Sequence, residues 1–156
     1  MAASQGVFNI RVYGIWINEN DEVLVSDEKI GPHYFIKFPG GGLEFGEGIK
    51  DCIIREWQEE LNVEIEVVQH LYTTDFFQIS AFDNRSQIIS VYYQVRPVQM
   101  PPVKFSTEKY DFDHHRYEAE SFRWVPLNDF SEASVTLPID KVVAQMIANK
   151  KLVLLR

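Results

Sequence analysis

The feature that most constrains this chain is the stretch GGGLEFGEGIKDCIIREWQEELNV, residues 40–63, in which three glycines precede a segment with helical periodicity. Apolar side chains recur there at the spacing of one helical face: Ile53, Ile54, Trp57 and Leu61. This spacing predicts a helix over residues 48–61 that follows a flexible glycine loop. Asn62 comes directly after the last apolar position, and it is well suited to the left-handed conformation of a C-terminal cap.

Carboxylates are crowded on the same predicted helix. Measured from Ile53 on a helical wheel, three of them lie at roughly −20°, −60° and −120°: Glu60, Glu56 and Glu59. They therefore share one arc beside the apolar stripe. Like charges one turn apart destabilise a bare helix, and a cation would remove the repulsion. Because all the ligands would be oxygens, Mg²⁺ or Mn²⁺ is favoured over a softer metal.

Two neighbouring residues support a site over the simpler interpretation, a solvated acidic helix face. Arg55 lies four residues before Glu59 and next to Glu56, so it can pair with a glutamate and hold it in one rotamer. Glu47 lies just ahead of the helix, where a carboxylate suits the positive end of the helix dipole.

The rest of the chain predicts a sheet and a second helix. Strands are expected at residues 7–17, 23–26, 35–38, 63–78, 87–96 and 121–125, and a helix at residues 137–151. The first two strands are expected to form a hairpin, and residues 27–34 and 105–119 to form loops. Strands on both sides of a central helix indicate a mixed sheet covered by helices. No repeat or linker interrupts the chain, so residues 1–156 are expected to form one domain.

Composition and charge limit the function classes. The chain has 156 residues, a net charge of −8 and a pI of about 5.0, which argues against a nucleic-acid or membrane-surface binder. An anionic substrate is still compatible, because a divalent cation can lie between it and an acidic protein. Cys52 is the only cysteine, so no internal disulfide can form. Neither a signal peptide nor an apolar membrane span is visible, and a cytoplasmic location is expected.

The central stretch resembles the Nudix box, G-x5-E-x7-R-E-U-x-E-E-x-G-U, in which U is a bulky apolar residue. The matching positions are Gly41, Glu47, Arg55, Glu56, Trp57, Glu59, Glu60 and Val63. The single departure is Asn62 in place of the second glycine, and asparagine tolerates the same left-handed conformation. The resemblance is strong over residues 35–63 and only architectural elsewhere.

The resemblance implies an α/β (α+β) fold, the Nudix-type α/β/α sandwich with a mixed β-sheet flanked by helices. It also implies hydrolysis of a nucleoside diphosphate linked to another group, in a Mg²⁺-dependent reaction. The residue roles that it implies cover the whole box: Glu56, Glu59 and Glu60 as metal ligands, Glu47 as support or as a ligand of an additional metal, Arg55 as the residue that orients the glutamates, and Gly41 and Gly42 as the loop that shapes the site.

The general base is left open between two places. It could be a box glutamate, Glu59 or Glu60. In parts of the family it comes instead from late in the chain, where Glu118 and Glu120 are the candidates. The alternative for these last two is a solvated strand end.

Substrate signatures of several subfamilies are absent, which leaves a compact MutT-like enzyme acting on a nucleoside triphosphate, a nucleotide sugar or a related diphosphate. A non-catalytic Nudix-like nucleotide-binding module is the main alternative, and an isomerase of the same fold is a minor one. Such modules typically lose box glutamates, and this chain has all of them. The strand segments within residues 63–96 could pair across two chains, so a homodimer is also open.

Overall fold

The computed structural model describes residues 6–156, which form eight strands and two α-helices. The strands are β1 (Val7–Ile15), β2 (Glu22–Ile30), β3 (His33–Lys37), β4 (Gly40–Gly42), β5 (Ile65–Thr73), β6 (Ser86–Pro97), β7 (Phe105–Ser106) and β8 (Glu118–Pro126). The helices are α1 (Ile49–Leu61) and α2 (Pro138–Ala148). Two short 3₁₀ turns lie between β8 and α2. The predicted mixed α/β fold is confirmed.

The strands form two mixed sheets of four strands each, with the orders β4-β1-β6-β5 and β3-β2-β8-β7. In the first sheet, Val12 of β1 lies opposite Val91 of the parallel strand β6 and opposite Gly41 of the antiparallel strand β4. In the second sheet, β2 is antiparallel to both β3 and β8, and β7 is parallel to β8. The expected mixed sheet is therefore divided into two.

The predicted hairpin between residues 7–17 and 23–26 is wrong, because β1 and β2 lie in different sheets. A single bridge between Ile17 and Val23 is the remnant of that pairing. The second half of strand β1, residues 12–15, is buried on both faces, so the strand takes a central position beside a parallel partner. The predicted loop at residues 27–34 is also largely wrong, since β2 continues to Ile30 and only a two-residue turn separates it from β3.

Successive side chains of β1 and β6 face opposite sides of the first sheet, and this alternation explains why it has a core on each side. Val12, Val91 and Val95 face a core cluster that contains α1. Tyr13 and Tyr92, one position along each strand, face a second cluster that contains α2. The first sheet therefore lies between the two helices, with an apolar core on each side.

Helix α1 ends as the sequence predicts, with Asn62 in the left-handed region at φ 51°. Its buried stripe is shifted from the predicted one. Cys52 is fully buried, whereas Ile54, which was expected to be buried, is 37% exposed. No helix within residues 6–156 is long and apolar enough to cross a membrane.

Candidate active site

The three glycines form strand β4, so the expectation of a flexible loop is wrong. Two of these positions require glycine, because neighbouring atoms lie too close for a Cβ atom. Gly40 has a φ of +150°, and a Cβ atom there would lie 2.1 Å from the carbonyl oxygen of Val12. A Cβ atom at Gly41 would lie 2.5 Å from the carboxyl carbon of Glu56. The absence of side chains on β4 therefore lets α1 place a carboxylate directly against the strand.

Two box glutamates, Glu56 and Glu60, lie inside the buried arc of α1. The helical wheel of the sequence placed them beside the apolar stripe. The buried residues extend from Cys52 to Leu61, at about −100° and 80° on the wheel. Glu56 and Glu60 fall between these limits, and the side chain of Glu56 is only 13% exposed. Glu59 lies at the edge of the arc, and its side chain is 58% exposed. The first two carboxylates thus lie on the buried side of the helix, and the third faces solvent.

Arg55 connects three carboxylates of the box. Its Nη2 lies 2.7 Å from Oε1 of Glu47, and its Nη1 lies 3.0 Å from Oε1 of Glu56 and 3.2 Å from Oε2 of Glu59. Nη2 also donates to the carbonyl oxygen of Gly42 at 3.0 Å. Hydrogen bonding from Arg55 is the main cause that lowers the pKa of Glu47 to about 2. Arg55 therefore ties the helix, the preceding turn and β4 into one network.

Glu60 differs from the other box glutamates because one of its oxygens is buried and unpaired. Oε2 of Glu60 has no hydrogen-bond partner among the described residues. Burial raises the pKa of Glu60 to about 8, with the carboxylates of Glu120 and Glu28 adding to the effect and Lys37 opposing it. Buried polar atoms are nearly always hydrogen-bonded, so this oxygen marks a position where a ligand is expected.

The box glutamates Glu47, Glu56, Glu59 and Glu60 form a carboxylate cluster. Strand β8 brings only one of the two late glutamates next to this cluster. Glu120 lies opposite Glu28 in the antiparallel register, and its carboxylate is electrostatically coupled to Glu60. Desolvation, followed by the Glu28 carboxylate, raises the pKa of Glu120 to about 7. Glu118 lies one pleat farther on, opposite the exposed residue Ile30, and no ion pair within residues 6–156 joins it to the box.

Several charged residues that sequence reasoning missed lie beside the cluster. Nζ of Lys37 lies 2.8 Å from Oε2 of Glu28, and it also donates to the carbonyl oxygens of Phe38 and Gly40. Glu28 was missed because the second half of β2 was interpreted as a loop. The available signal was strand alternation, since Ser26, Glu28 and Ile30 occupy every second position of β2.

A cavity of about 240 Å³ adjoins this charged end. Its walls are mostly apolar and come from both sheets, residues 78–82 and the start of α2. The apolar lining includes Ile30, Phe35, Ile79, Phe82, Ile88 and Ile139. Asp140 lies in the wall, accepts a hydrogen bond from the Tyr92 hydroxyl and has a buried Oδ2 without a partner in residues 6–156. Burial raises the pKa of Asp140 to about 6.

A model of the NUDIX domain matches residues 8–146, which is most of the chain. The chain belongs to the NUDIX domain family. The predicted family resemblance is thereby confirmed, and the match extends far beyond the box.

Individual NUDIX proteins show the same relationship. The chain is 36% identical over 52 residues to the 8-oxo-dGTP diphosphatase of Escherichia coli K12, a match that spans 32% of this chain and 40% of that protein. A NUDIX hydrolase from Nitrosomonas europaea has a similar structure, with a TM-score of 0.66, 18% identity and coverage of 92% of this chain and 89% of that chain. A MutT NUDIX hydrolase from Burkholderia pseudomallei gives a TM-score of 0.64 at 18% identity, covering 88% of this chain and 95% of that chain. These structures confirm the fold.

Members of the family generally depend on a divalent metal ion, and the donors of this chain fit such an ion in kind. The cluster supplies only carboxylate oxygens, which Mg²⁺ and Mn²⁺ prefer. The unpaired Oε2 of Glu60 is an available ligand atom. Within residues 6–156, no three His, Cys, Asp or Glu side chains are already arranged to hold a metal ion. Glu56 and Glu59 are instead engaged by Arg55.

Proposed function

We propose that this chain is a Mg²⁺-dependent Nudix hydrolase that cleaves a phosphoanhydride bond in a nucleoside diphosphate linked to another group. The observation that carries the proposal is the buried, unpaired Oε2 of Glu60. It lies in a cluster of carboxylates that adjoins an apolar cavity large enough for part of a ligand. A buried carboxylate without a partner destabilises the fold, which makes sense where a bound cation completes the site.

The proposed roles of the residues are supported by their positions. Glu56 and Glu60 lie on the buried side of α1 and would hold the cation, and Glu59 would join them from the solvent edge. Arg55 positions Glu56 and Glu59 through its hydrogen bonds. When bound, a divalent cation neutralises charge on the diphosphate and acidifies water. Glu59, Glu60 or Glu120 then accepts the proton of the attacking water.

The cavity and one relative support an order in which substrate classes are tested. The cavity would take the organic group of the substrate, with the phosphates directed toward the carboxylate cluster. The name of the E. coli relative, 8-oxo-dGTP diphosphatase, makes nucleoside triphosphates the first class to examine. Nucleotide sugars and other diphosphates are the second.

The test is a phosphate-release panel with and without Mg²⁺, using nucleoside triphosphates, ADP-ribose, nucleotide sugars, NADH and dinucleoside polyphosphates. We expect turnover of at least one class that requires Mg²⁺ and falls by roughly 100-fold or more in Glu60→Gln, since the variant loses the charge of a ligand. Glu64→Gln is the matched control, because Glu64 is exposed and lies beyond the end of α1.

The variants Glu59→Gln and Glu60→Gln, together with the control Glu64→Gln, separate the possible outcomes. Turnover that Glu59→Gln and Glu60→Gln both abolish while Glu64→Gln retains it supports the assignment. Absence of turnover across the panel, together with nucleotide binding in calorimetry, would replace the hydrolase with a non-catalytic binding module. Metal-independent turnover would contradict the proposed role of the cluster.

A further inference from the structure

Arg11 lies where the cavity meets β4, and sequence reasoning gave it no role. It lies on β1, opposite Gly42 of β4, and its side chain forms part of the cavity wall. A Cβ atom at Gly42 would lie 3.6 Å from Nη1 of Arg11, so the guanidinium lies close to β4. The same strand contacts the Glu56 carboxylate at Gly41. Arg11 is thus placed between the cavity and the proposed metal-binding carboxylates.

The guanidinium of Arg11 is oriented but not saturated. Its Nε donates to the hydroxyl oxygen of Tyr13 at 2.7 Å, and the buried ring of Tyr13 fixes the direction of that bond. Among the described residues, neither terminal nitrogen forms a hydrogen bond, and no carboxylate lies within ion-pair distance of Arg11. The two N–H₂ groups of this half-buried, cavity-lining residue therefore have no protein partner within residues 6–156.

The other cations of this region have no such donors to spare. Arg55 donates to Glu47, Glu56 and Glu59. Lys37 is buried, pairs with a glutamate and donates to two carbonyl oxygens. Arg11 is therefore the side chain in this set whose charge is available to a ligand.

We infer that Arg11 binds non-bridging phosphate oxygens of the substrate at the junction between the cavity and the carboxylate cluster. A guanidinium presents parallel N–H donors that match a phosphate, and Tyr13 holds this one in a fixed orientation. The inference rests on the proposed function and deepens it. The organic group occupies the cavity, Arg11 holds a phosphate beside it, and the carboxylates act on the next phosphate.

The competing explanation is that Arg11 only balances the charge of nearby carboxylates such as Glu28 and Glu56. A counter-charge would affect stability and would tolerate lysine. A phosphate ligand would affect substrate affinity and would lose its paired geometry in lysine. The variants Arg11→Gln and Arg11→Lys therefore distinguish the two explanations. Arg96→Gln is the control, because Arg96 lies on β6 of the same sheet, six residues beyond the partner of Arg11 and roughly 20 Å away along the strand.

The experiment measures kcat and KM on the best substrate of the panel, together with calorimetric binding of inorganic pyrophosphate in the presence of Mg²⁺. We expect Arg11→Gln to lower kcat/KM by roughly 10- to 100-fold, mainly through KM, since hydrogen bonds to charged groups have this strength. Pyrophosphate affinity should fall by a similar factor, Arg11→Lys should recover only part of the loss, and Arg96→Gln should match the wild type.

Different results would refute the two proposals. Unchanged KM and pyrophosphate affinity in both Arg11 variants would overturn the inference, whatever happens to the melting temperature. Full activity in Arg11→Lys would also overturn it in favour of a counter-charge. If the wild type lacks turnover, the hydrolase proposal fails, and pyrophosphate binding still decides the role of Arg11. If Arg11→Gln does not fold, the lysine variant decides.

Discussion

Substitution of Gly41 by alanine should inactivate the protein while leaving it folded. The new methyl group would lie 2.5 Å from the carboxyl carbon of Glu56, about 0.9 Å inside an ordinary van der Waals contact. The flexible glutamate side chain can relieve this overlap by moving away from β4, so the carboxylate is displaced by about 1 Å. Overpacking of this kind reduces the free energy of unfolding by about 1–3 kcal/mol.

The effect on catalysis should match the upper end of the effect on stability in free energy, and it should appear while the variant is still folded. A displacement of about 1 Å in a catalytic geometry reduces the rate by roughly 100-fold, which corresponds to about 2.7 kcal/mol in the activation free energy. The assay is kcat at saturating Mg²⁺ and substrate, with thermal unfolding of the same samples to confirm that the variant is folded.

A compensating variant makes this prediction sharper. Aspartate is one methylene shorter than glutamate, so Glu56→Asp should relieve the overlap in the Gly41→Ala background. We expect the double variant to be more active than the product of the two single effects, in a double-mutant cycle. Additive losses, or a Gly41→Ala protein with wild-type kcat, would refute the idea that the glycine exists to admit the carboxylate.

Three further predictions concern the scaffold. Asp27→Ala should lower the free energy of unfolding by about 3–5 kcal/mol in urea denaturation, because it leaves Arg123 without its buried partner at 2.9 Å; a loss below about 1 kcal/mol would contradict a buried pair. Burial raises the pKa of Asp140 to about 6 from an ordinary 3.8. The protonated carboxyl therefore contributes to the free energy of unfolding below about pH 4, and this contribution is lost as the pH rises through 6. Asp140→Asn keeps an acceptor for Tyr92 and should gain about 3 kcal/mol relative to the wild type between pH 4 and 7 in parallel urea titrations; curves with equal pH dependence would show that this carboxyl does not titrate in that range. Asn62→Gly should raise the free energy of unfolding by up to about 1 kcal/mol, because φ is 51° there, without changing kcat/KM; destabilisation would show that the Asn62 side chain contributes more than its backbone strain costs.

Helix α1 and its end were predictable because their signals are local. Apolar spacing located the helix to within one residue, and the tolerance of asparagine for the left-handed region located its cap at Asn62. The identity of the box residues also needed no structure, since their spacing along the chain is the signal. The direction of the glutamates was less predictable. Glu56 can lie against β4 only because Gly41 has no side chain to exclude it, and that contact joins two separate elements.

The pairing of β1 could not be derived from local patterns. The turn after β1 favours a hairpin with β2, yet β1 pairs in parallel with β6, whose residues lie about eighty positions later in the chain. Such long-range pairing leaves no mark on the spacing of neighbouring residues. The same limit concealed Arg11 and Lys37, because only the arrangement of the two sheets brings them to one end of the cavity.

The most direct test of the proposed metal site is Mn²⁺ binding, measured by electron paramagnetic resonance in the presence of the product nucleotide. The account predicts that the wild type binds Mn²⁺ and that Glu56→Gln and Glu60→Gln each weaken binding by about tenfold or more, since loss of an outer partner of a ligand already has an effect of that size. Glu64→Gln should bind like the wild type. Equal Mn²⁺ affinity in all four proteins would contradict the claim that Glu56 and Glu60 form the metal site.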